Sequence, residues 1–302
     1  MKKNLVSVII PTFNRGHLIK RSVMSVLKQS YNNLELIIVD DGSTDNTEKV
    51  IKSIEDNRVV YVKQQNQGAC AARNNGIAHA RGEFIAFQDS DDVWHENKLE
   101  QQFETIQKTG ADVVFCKMAI DGDKKNVLPN GFREGFLDDD ELPLGVSTQT
   151  LFAYSKIFRE EKFDENIPRL QDFELLLRIQ RKYKVYCMEN ILLDYYVEPD
   201  SISRNPHKFL KAWDLIELKH PHLKEIYSKK LCTITRLMLQ VAFSLDKSTR
   251  NSLIKKSVEY SNWFYVISLC ILHKLHLYNF IIYNYKVLLR SHLKSLTRCS
   301  QS

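Results

Sequence analysis

The sequence predicts an α/β fold: a mostly parallel sheet flanked by helices, followed by a C-terminal helical extension. Three observations predict it. Residues 1–120 alternate short β-rich apolar runs with amphipathic stretches, the pattern of strands joined by crossover helices. Several of these runs empty into polar or acidic clusters, as strand ends at a ligand crevice do. Beyond Pro206 the strand-like runs stop and the sequence reads as helix throughout.

Strands are expected at Val6–Ile10, Leu34–Val39, Val59–Val62, Phe84–Phe87 and Asp112–Cys116. Helices are expected near His17–Gln29, Thr44–Glu55, Ala69–Ala80 and Glu96–Thr109. Asp41-Gly42-Ser43-Thr44-Asp45 supplies turn and N-cap residues for the second helix. Ligands of open α/β sheets gather outside the carboxyl ends of the strands, so Pro11–Asn14, Asp40–Ser43 and Asp89–Asp92 should converge on one crevice. The polar stretch Asp121–Pro143 reads as loop and short strand, and its acidic run Asp138–Glu141 as solvated surface. A helix around Gln171–Lys182 follows, then strands at Lys184–Cys187 and Ile191–Val197. Glu198–Pro206 reads as a boundary, giving a catalytic domain over 1–206 and a helical region over 207–302.

At 302 residues the chain can bury a sizeable core. Its net charge of +6 is uneven: residues 207–302 hold 16 Lys and Arg against 5 Asp and Glu, leaving the first 206 residues net acidic. That basic region is also aromatic, from Trp263 to Tyr285, and Lys274 interrupts it too early for a transmembrane span. Two readings stay open for it: helices lying peripherally on a membrane, or helices packed on the catalytic domain or on another subunit of a homo-oligomer. Six scattered cysteines without a Cys-x-x-Cys pair suggest neither zinc ribbon nor disulfide framework, and a cytoplasmic location fits. The apolar run Leu5–Ile10, broken by Ser7 and stopped by Pro11, reads as a first strand rather than a leader.

The chemistry concentrates at Phe84-Ile85-Ala86-Phe87-Gln88-Asp89-Ser90-Asp91-Asp92, where a strand ends in three carboxylates within four residues. Like charges this close disfavour one another's ionised form unless solvent or a cation compensates them. Hard divalent ions take one or two protein carboxylates and complete their shell with water and phosphate oxygens, so Mg2+ or Mn2+ with a diphosphate is one reading. An Asp-rich turn capping the next helix is the other. Gly-x-Gly-x-x-Gly, the P-loop and the Gly-x-Ser-x-Gly elbow are all absent from the sequence.

The ordered set Val8-Ile9-Ile10-Pro11-Thr12-Phe13-Asn14, Val39-Asp40-Asp41-Gly42-Ser43, Asn66-Gln67-Gly68 with Ala72-Arg73-Asn74, Asp89-Ser90-Asp91-Asp92 and Gln171-Asp172 resembles the family 2 glycosyltransferases, inverting enzymes of the GT-A fold. The resemblance covers about residues 4–206. It implies that Pro11 and Phe13 line a base pocket, that Asp40 accepts the uracil N–H, and that Asn66 and Arg73 reach the nucleotide. A salt bridge to the acidic cluster is the competing reading of Arg73. The resemblance further implies that Asp91 is the direct metal ligand, with Asp89 toward the ribose or a metal-bound water, Ser90 between them, and Asp92 mainly a helix cap. Asp172 takes the place of the catalytic base, where the family usually carries an acidic pair and this chain has Gln171-Asp172.

The expected function is transfer of a hexosyl or N-acetylhexosaminyl group from a UDP-sugar to a hydroxyl of a glycan or lipid-linked saccharide, dependent on Mn2+ or Mg2+. Synthesis of a bacterial cell-surface polysaccharide or glycoconjugate is the expected setting, without nucleic acid as a partner. The rival from another class is a non-catalytic nucleotide-sugar or glycan-binding module of the same fold.

Overall fold

A core on each side of the sheet explains why the strands of this chain read as apolar runs. The structure is a computed structural model that describes residues 2–138, 141–198, 206–221 and 223. In chain order the elements are β1 (Lys2–Thr12), α1 (Ile19–Leu27), β2 (Leu34–Asp40), α2 (Thr47–Lys52), β3 (Val59–Lys63), α3 (Ala69–His79), β4 (Gly82–Phe87), β5 (Val93–Trp94) and α4 (Lys98–Thr109). They continue with β6 (Val113–Ile120), β7 (Asp123–Leu128), β8 (Gly135–Phe136), a 3-10 turn at Thr148–Thr150, β9 (Leu151–Tyr154), α5 (Ser155–Glu160), α6 (Gln171–Ile179), β10 (Val185–Tyr195) and α7 (Pro206–Lys219).

Successive side chains leave a strand on opposite faces. Val6, Val8 and Ile10 of β1, Leu36 and Ile38 of β2, and Phe84 and Ala86 of β4 therefore share one cluster with Val23 of α1 and Leu99 of α4. Ile9, Ile37, Val39, Ile85 and Phe87 share the other, with Ile77 of α3, Phe158 of α5 and Leu176 of α6. Gly76 lets α3 press onto β1, since a Cβ there would lie 2.5 Å from Ile9 Cγ2.

The strand order is β3-β2-β1-β4-β9-β6-β10-β5, with β7 on β6 and β8 on β10. The half that the sequence reads best, β3-β2-β1-β4, is parallel throughout. β9 then enters antiparallel between β4 and β6, and β10 returns parallel to β6. The sequence reading places no strand at β9, because four apolar residues bear no periodicity that separates strand from buried loop. It also divides β10 into two strands. The structure keeps one, with its irregularity as register shifts against β6 around Cys187 and Ile191.

One compact unit covers Met1–Lys219 and a second begins at His220. The helical region read from residue 207 therefore opens, within the first unit, with α7. There Phe209, Ala212, Trp213 and Ile216 are buried, and the Trp213 ring stacks 6.0 Å from that of Phe173 in α6. Among the described residues no helix is long and apolar enough to cross a membrane. The basic aromatic stretch from Trp263 to Tyr285 lies outside the described residues. Cys70, Cys116 and Cys187 are buried free thiols.

Candidate active site

The carboxyl ends of β1, β2 and β4 open onto a crevice of about 780 Å³. Pro11, Phe13, Asn66, Arg73, Asp89, Ser90, Asp91 and Asp172 all line it, so residues as far as 161 positions apart in sequence meet at one wall. Of the candidate binding and catalytic residues, Asp40 does not line it.

The base end of the crevice shows why. Asp40 closes β2 fully buried, its Oδ1 accepting from Ser43 N at 2.7 Å and its Oδ2 from the Tyr61 hydroxyl at 2.7 Å. Its side chain does not line the crevice, so the expected uracil contact has no support at Asp40. One residue on, alternation reverses the side chain, and Asp41 lines the crevice instead. Asp41 is fixed by Gln67 N at 2.9 Å, Gly68 N at 2.7 Å and Gln64 Nε2 at 2.8 Å. Gly42 makes this turn possible: its φ is +82°, and a Cβ there would meet Asn66 N at 3.1 Å. Phe13 stands on the same wall, 45% exposed, with its ring available to a flat partner.

The acidic loop after β4 is held by its backbone, and Asp89, Ser90 and Asp91 line the crevice. Ser22 Oγ donates to Asp89 O at 2.6 Å, and Arg21 Nη2 donates to Asp91 O. Arg21 also pairs with Glu198 at 3.2 Å, and its guanidinium lies 4.5 Å from the Tyr196 ring centroid. Gln88 Nε2 donates to Asp92 O at 2.8 Å. Asp92 itself is fully buried and accepts from Tyr196 N at 2.7 Å, while α4 starts after Asn97. It joins the loop to the end of β10, and the helix-cap role expected from sequence is not the one it has.

Arg73 settles into a salt bridge with Asp89, Nη2 to Oδ1 at 2.8 Å, while still lining the crevice. Its Nε is buried and has no partner among the described residues. Among the described residues, no salt bridge joins Asp91 to a cation. Burial pushes its carboxyl up to about 6, the Asp89 charge adds to this, and the Arg15 charge opposes it. A carboxylate so destabilised beside a second one is a fitting donor for a cation. Among the described residues no three acidic, His or Cys side chains are placed to hold one metal ion together, so such an ion would need phosphate oxygens and water to complete its shell.

Asp172 lies in the first turn of α6, where Oδ1 accepts from Phe173 N at 2.8 Å. Leu170 before it adopts a left-handed φ of 62°, which turns the chain into the helix with Asp172 at the crevice. Burial raises its pKa, the Asp89 charge adds to the rise, and Phe173 N and Arg73 oppose it. A carboxylate shifted this way is a stronger proton acceptor than an exposed one. Glu174 is not a second acid here, since it is buried between Arg178 at 3.0 Å and Lys219 at 3.0 Å.

The sequence reading missed Arg15, Thr148, Arg169 and Tyr196 as lining residues, and it brought Asp41 to the crevice without giving it a role. Arg15 adjoins a recognised motif and was findable there. Thr148 and Arg169 sit in turns without periodicity, and only the fold brings them in.

Comparison with known proteins decides the family. The glycosyl transferase family 2 model matches residues 7–167, which contain the strand-end motifs of β1, β2 and β4. The chain is a family 2 glycosyltransferase. A curated relative of this glycosyltransferase in Escherichia coli, UDP-Glc:alpha-D-GlcNAc-diphosphoundecaprenol beta-1,3-glucosyltransferase WfgD, is 32% identical over 224 residues, 72% of this chain and 87% of that protein. Glycosyltransferase GlyG of Streptococcus pneumoniae serotype 4 is 44% identical over 113 residues, 36% of this chain, and the match spans only 38% of GlyG. Among solved structures, Staphylococcus aureus TarS 1–349 in complex with UDP-GlcNAc matches with a TM-score of 0.67 at 18% identity, covering 85% of this chain and 81% of that one. The mannosyltransferase PcManGT from Pyrobaculum calidifontis, in complex with GDP-Man and Mn2+, gives 0.62 at 19% identity over 90% and 80%. The shared architecture is the GT-A fold.

Proposed function

We propose that this glycosyltransferase moves a hexosyl or N-acetylhexosaminyl group from a UDP-sugar to a hydroxyl of a lipid-linked or growing glycan, with inversion, in cell-surface polysaccharide or glycoconjugate synthesis. One observation carries the reading: Asp172 and the Asp89–Asp91 loop, 80 residues apart, line the same crevice as the base-sized wall of Pro11, Phe13 and Asp41. The UDP named with TarS and WfgD and the diphospholipid acceptor named with WfgD support the donor and acceptor classes. The Mn2+ named with PcManGT supports a divalent ion.

In this reading the Phe13 ring faces the nucleobase and Asp41, an acceptor only, takes the imide N–H. Asn66 and Arg73 reach the nucleotide, and Asp91 with Asp89 and Ser90 holds the diphosphate end. A divalent ion bound there would neutralise the charge that gathers on the leaving diphosphate. Arg73 adds a fixed cation to the same charge, which stabilises the transition state more than the ground state. Asp172 accepts the proton of the acceptor hydroxyl as its oxygen attacks the anomeric carbon and the bond to the diphosphate breaks. A single displacement needs one base, which agrees with the burial of Glu174 away from the site.

The chain's basic, aromatic C-terminal region would keep the enzyme at a membrane carrying the acceptor or at another subunit, and binding to anionic vesicles at low salt tests the first. The catalytic reading is tested by incubating the full chain with UDP-, GDP- and dTDP-sugars and Mn2+ or Mg2+. Release of UDP that stops in Asp172→Asn is the expected result. Absence of release from every donor, with UDP still bound, would favour a binding module over an enzyme.

A further inference from the structure

The turn that presents Asp172 to the crevice is not held by α6 alone. Leu170, two residues before Asp172, has a left-handed φ of 62°. A side chain with a Cβ pays for that conformation, which persists only where the surroundings over-determine it. Helix α7 supplies those surroundings. Lys219 Nζ, at its end, donates to Asp164 Oδ2 at 2.5 Å and to Glu174 Oε1 at 3.0 Å, so one ammonium ties together the two ends of segment 164–174. Within that segment the Arg169 guanidinium carbon lies 5.0 Å from the centroid of the Phe209 ring. Phe173, the residue after Asp172, stacks on Trp213 with ring centroids 6.0 Å apart and planes 21° apart. Phe209 and Trp213 are both buried, which fixes the face of α7 against which the segment rests.

These contacts lie behind the crevice wall. Phe209, Trp213 and Lys219 are not among its lining residues, whereas Arg169, Leu170, Gln171 and Asp172 are. An effect of α7 on turnover must therefore pass through the segment that carries Asp172. The Glu174 side chain is 1% exposed and that of Lys219 40%, so the pair is only partly open to solvent screening. Glu174 also pairs with Arg178 at 3.0 Å, so loss of Lys219 does not leave the buried carboxylate without a cation. The Lys219 bridge thus bears more on where the segment sits than on whether the chain folds.

We infer that Lys219 and Trp213 are positioning residues, which hold the turn from Leu170 into α6 so that the Asp172 carboxyl meets the incoming hydroxyl. The inference rests on the glycosyl-transfer reading above, in which Asp172 is the base. A displacement of about 1 Å caused by a change outside the site can cost about 10²-fold in rate.

The test uses the full chain with Mg2+ and follows UDP release from UDP-glucose, UDP-galactose and UDP-N-acetylglucosamine. Lys219→Met should lower kcat by about tenfold or more, with donor KM and UDP affinity within about twofold of the unaltered protein. Lys219→Arg should recover most of the loss. Trp213→Leu should act in the same direction, and Trp213→Phe, which keeps a ring on Phe173, should fall between. The deciding measurement places Lys219→Met in the Asp172→Asn background, where it should cost less than about twofold because the group it positions is gone. Equal losses in both backgrounds overturn the inference. So does a Lys219→Met variant with a lower melting temperature and an unchanged kcat, which is the result a purely structural tie gives, or one whose UDP affinity falls as far as its kcat. If Lys219→Met does not fold, the same cycle run with Trp213→Phe decides. Full turnover by Asp172→Asn, or no UDP release by the unaltered protein, would instead sink the reading of Asp172 as base, and the inference with it.

Discussion

Asp92 Oδ1 accepts a hydrogen bond from Tyr196 N at 2.7 Å across 104 residues of sequence, joining the acidic loop after β4 to the end of β10. Tyr196 also lies under Arg21, which donates to the Asp91 carbonyl, so one contact network fixes both the loop and the strand end. The carboxyl that makes this bond is pushed up to about 8 by burial and by the charges of Asp89 and Asp91.

That shift has a sign. A carboxyl whose folded pKa is raised above the unfolded value contributes stability that is fully present below about pH 4 and is lost as pH rises through about 8. Asp91, raised to about 6, acts in the same direction. Without divalent ions the protein should therefore lose thermal stability from pH 5 to pH 9. Asp92→Asn, which keeps an acceptor for Tyr196 N, should raise the melting temperature at pH 9 by a few degrees and leave pH 5 nearly unchanged. Calorimetry in EDTA checks this, and a pH-independent difference would contradict it.

Chelation should act on the donor as well. If Asp91 and Asp89 share a divalent ion with the diphosphate, EDTA should weaken UDP binding by about tenfold or more and Mg2+ or Mn2+ should restore it. Isothermal titration with and without the ion decides. An affinity indifferent to EDTA would leave the two carboxylates without the assigned role.

Asp172→Asn preserves the size of the side chain and removes the proposed base. Transfer should fall by about 10² to 10⁴-fold, with UDP affinity within about twofold of the unaltered protein. Because the Asp172 pKa lies above that of an ordinary aspartate, turnover should rise with pH on the acid side and level off as the carboxyl ionises. Activity that stays flat down to pH 4 would exclude Asp172 as the base.

Asp40 and Asp41 should separate cleanly. Asp40→Asn disturbs the bonds to Ser43 N and the Tyr61 hydroxyl, and should cost about 1–2 kcal/mol of folding stability while UDP binding stays close to normal. Asp41→Asn should weaken UDP binding by about tenfold through loss of the charged acceptor. Urea denaturation and UDP titration on both variants give the answer. The reverse pattern would return the base contact to Asp40.

Arg73 completes the set. Arg73→Met leaves Asp89, partly exposed, without its cation and removes a donor from the nucleotide wall. The donor KM should rise and UDP affinity fall by about 1–3 kcal/mol, and Arg73→Lys should recover only part because it lacks the planar fork. Equal donor binding in all three proteins would restrict Arg73 to a structural ion pair.

Most of the site was legible in the sequence because its residues sit at strand ends, and strand ends are marked locally. The runs before Pro11, Asp40 and Asp89 identify three carboxyl ends of parallel strands, and the topology of such sheets brings those ends together. Asp172 was singled out only through the family resemblance that the whole motif set carries, since a lone carboxylate at a helix start reads equally well as a cap. β9 was not legible. Leu151-Phe152-Ala153-Tyr154 becomes a central strand because β4 and β6 supply ladder partners on both sides, and neither partner is adjacent in sequence.

By itself the sequence determined the α/β plan, the positions of the parallel strands up to β4 and the acidic loop, which follow from local periodicity, while the proposed role of Asp172 came from the resemblance carried by the ordered motifs. The tertiary structure alone decided which of two adjacent carboxylates, Asp40 or Asp41, faces the crevice, what Asp92 holds, and that Arg169 lines the crevice with Asp172. Each of these depends on the phase of a strand end or on a partner tens of residues away. Side-chain direction there is set by pairing, packing and turn geometry summed over the fold, and residue type does not encode it.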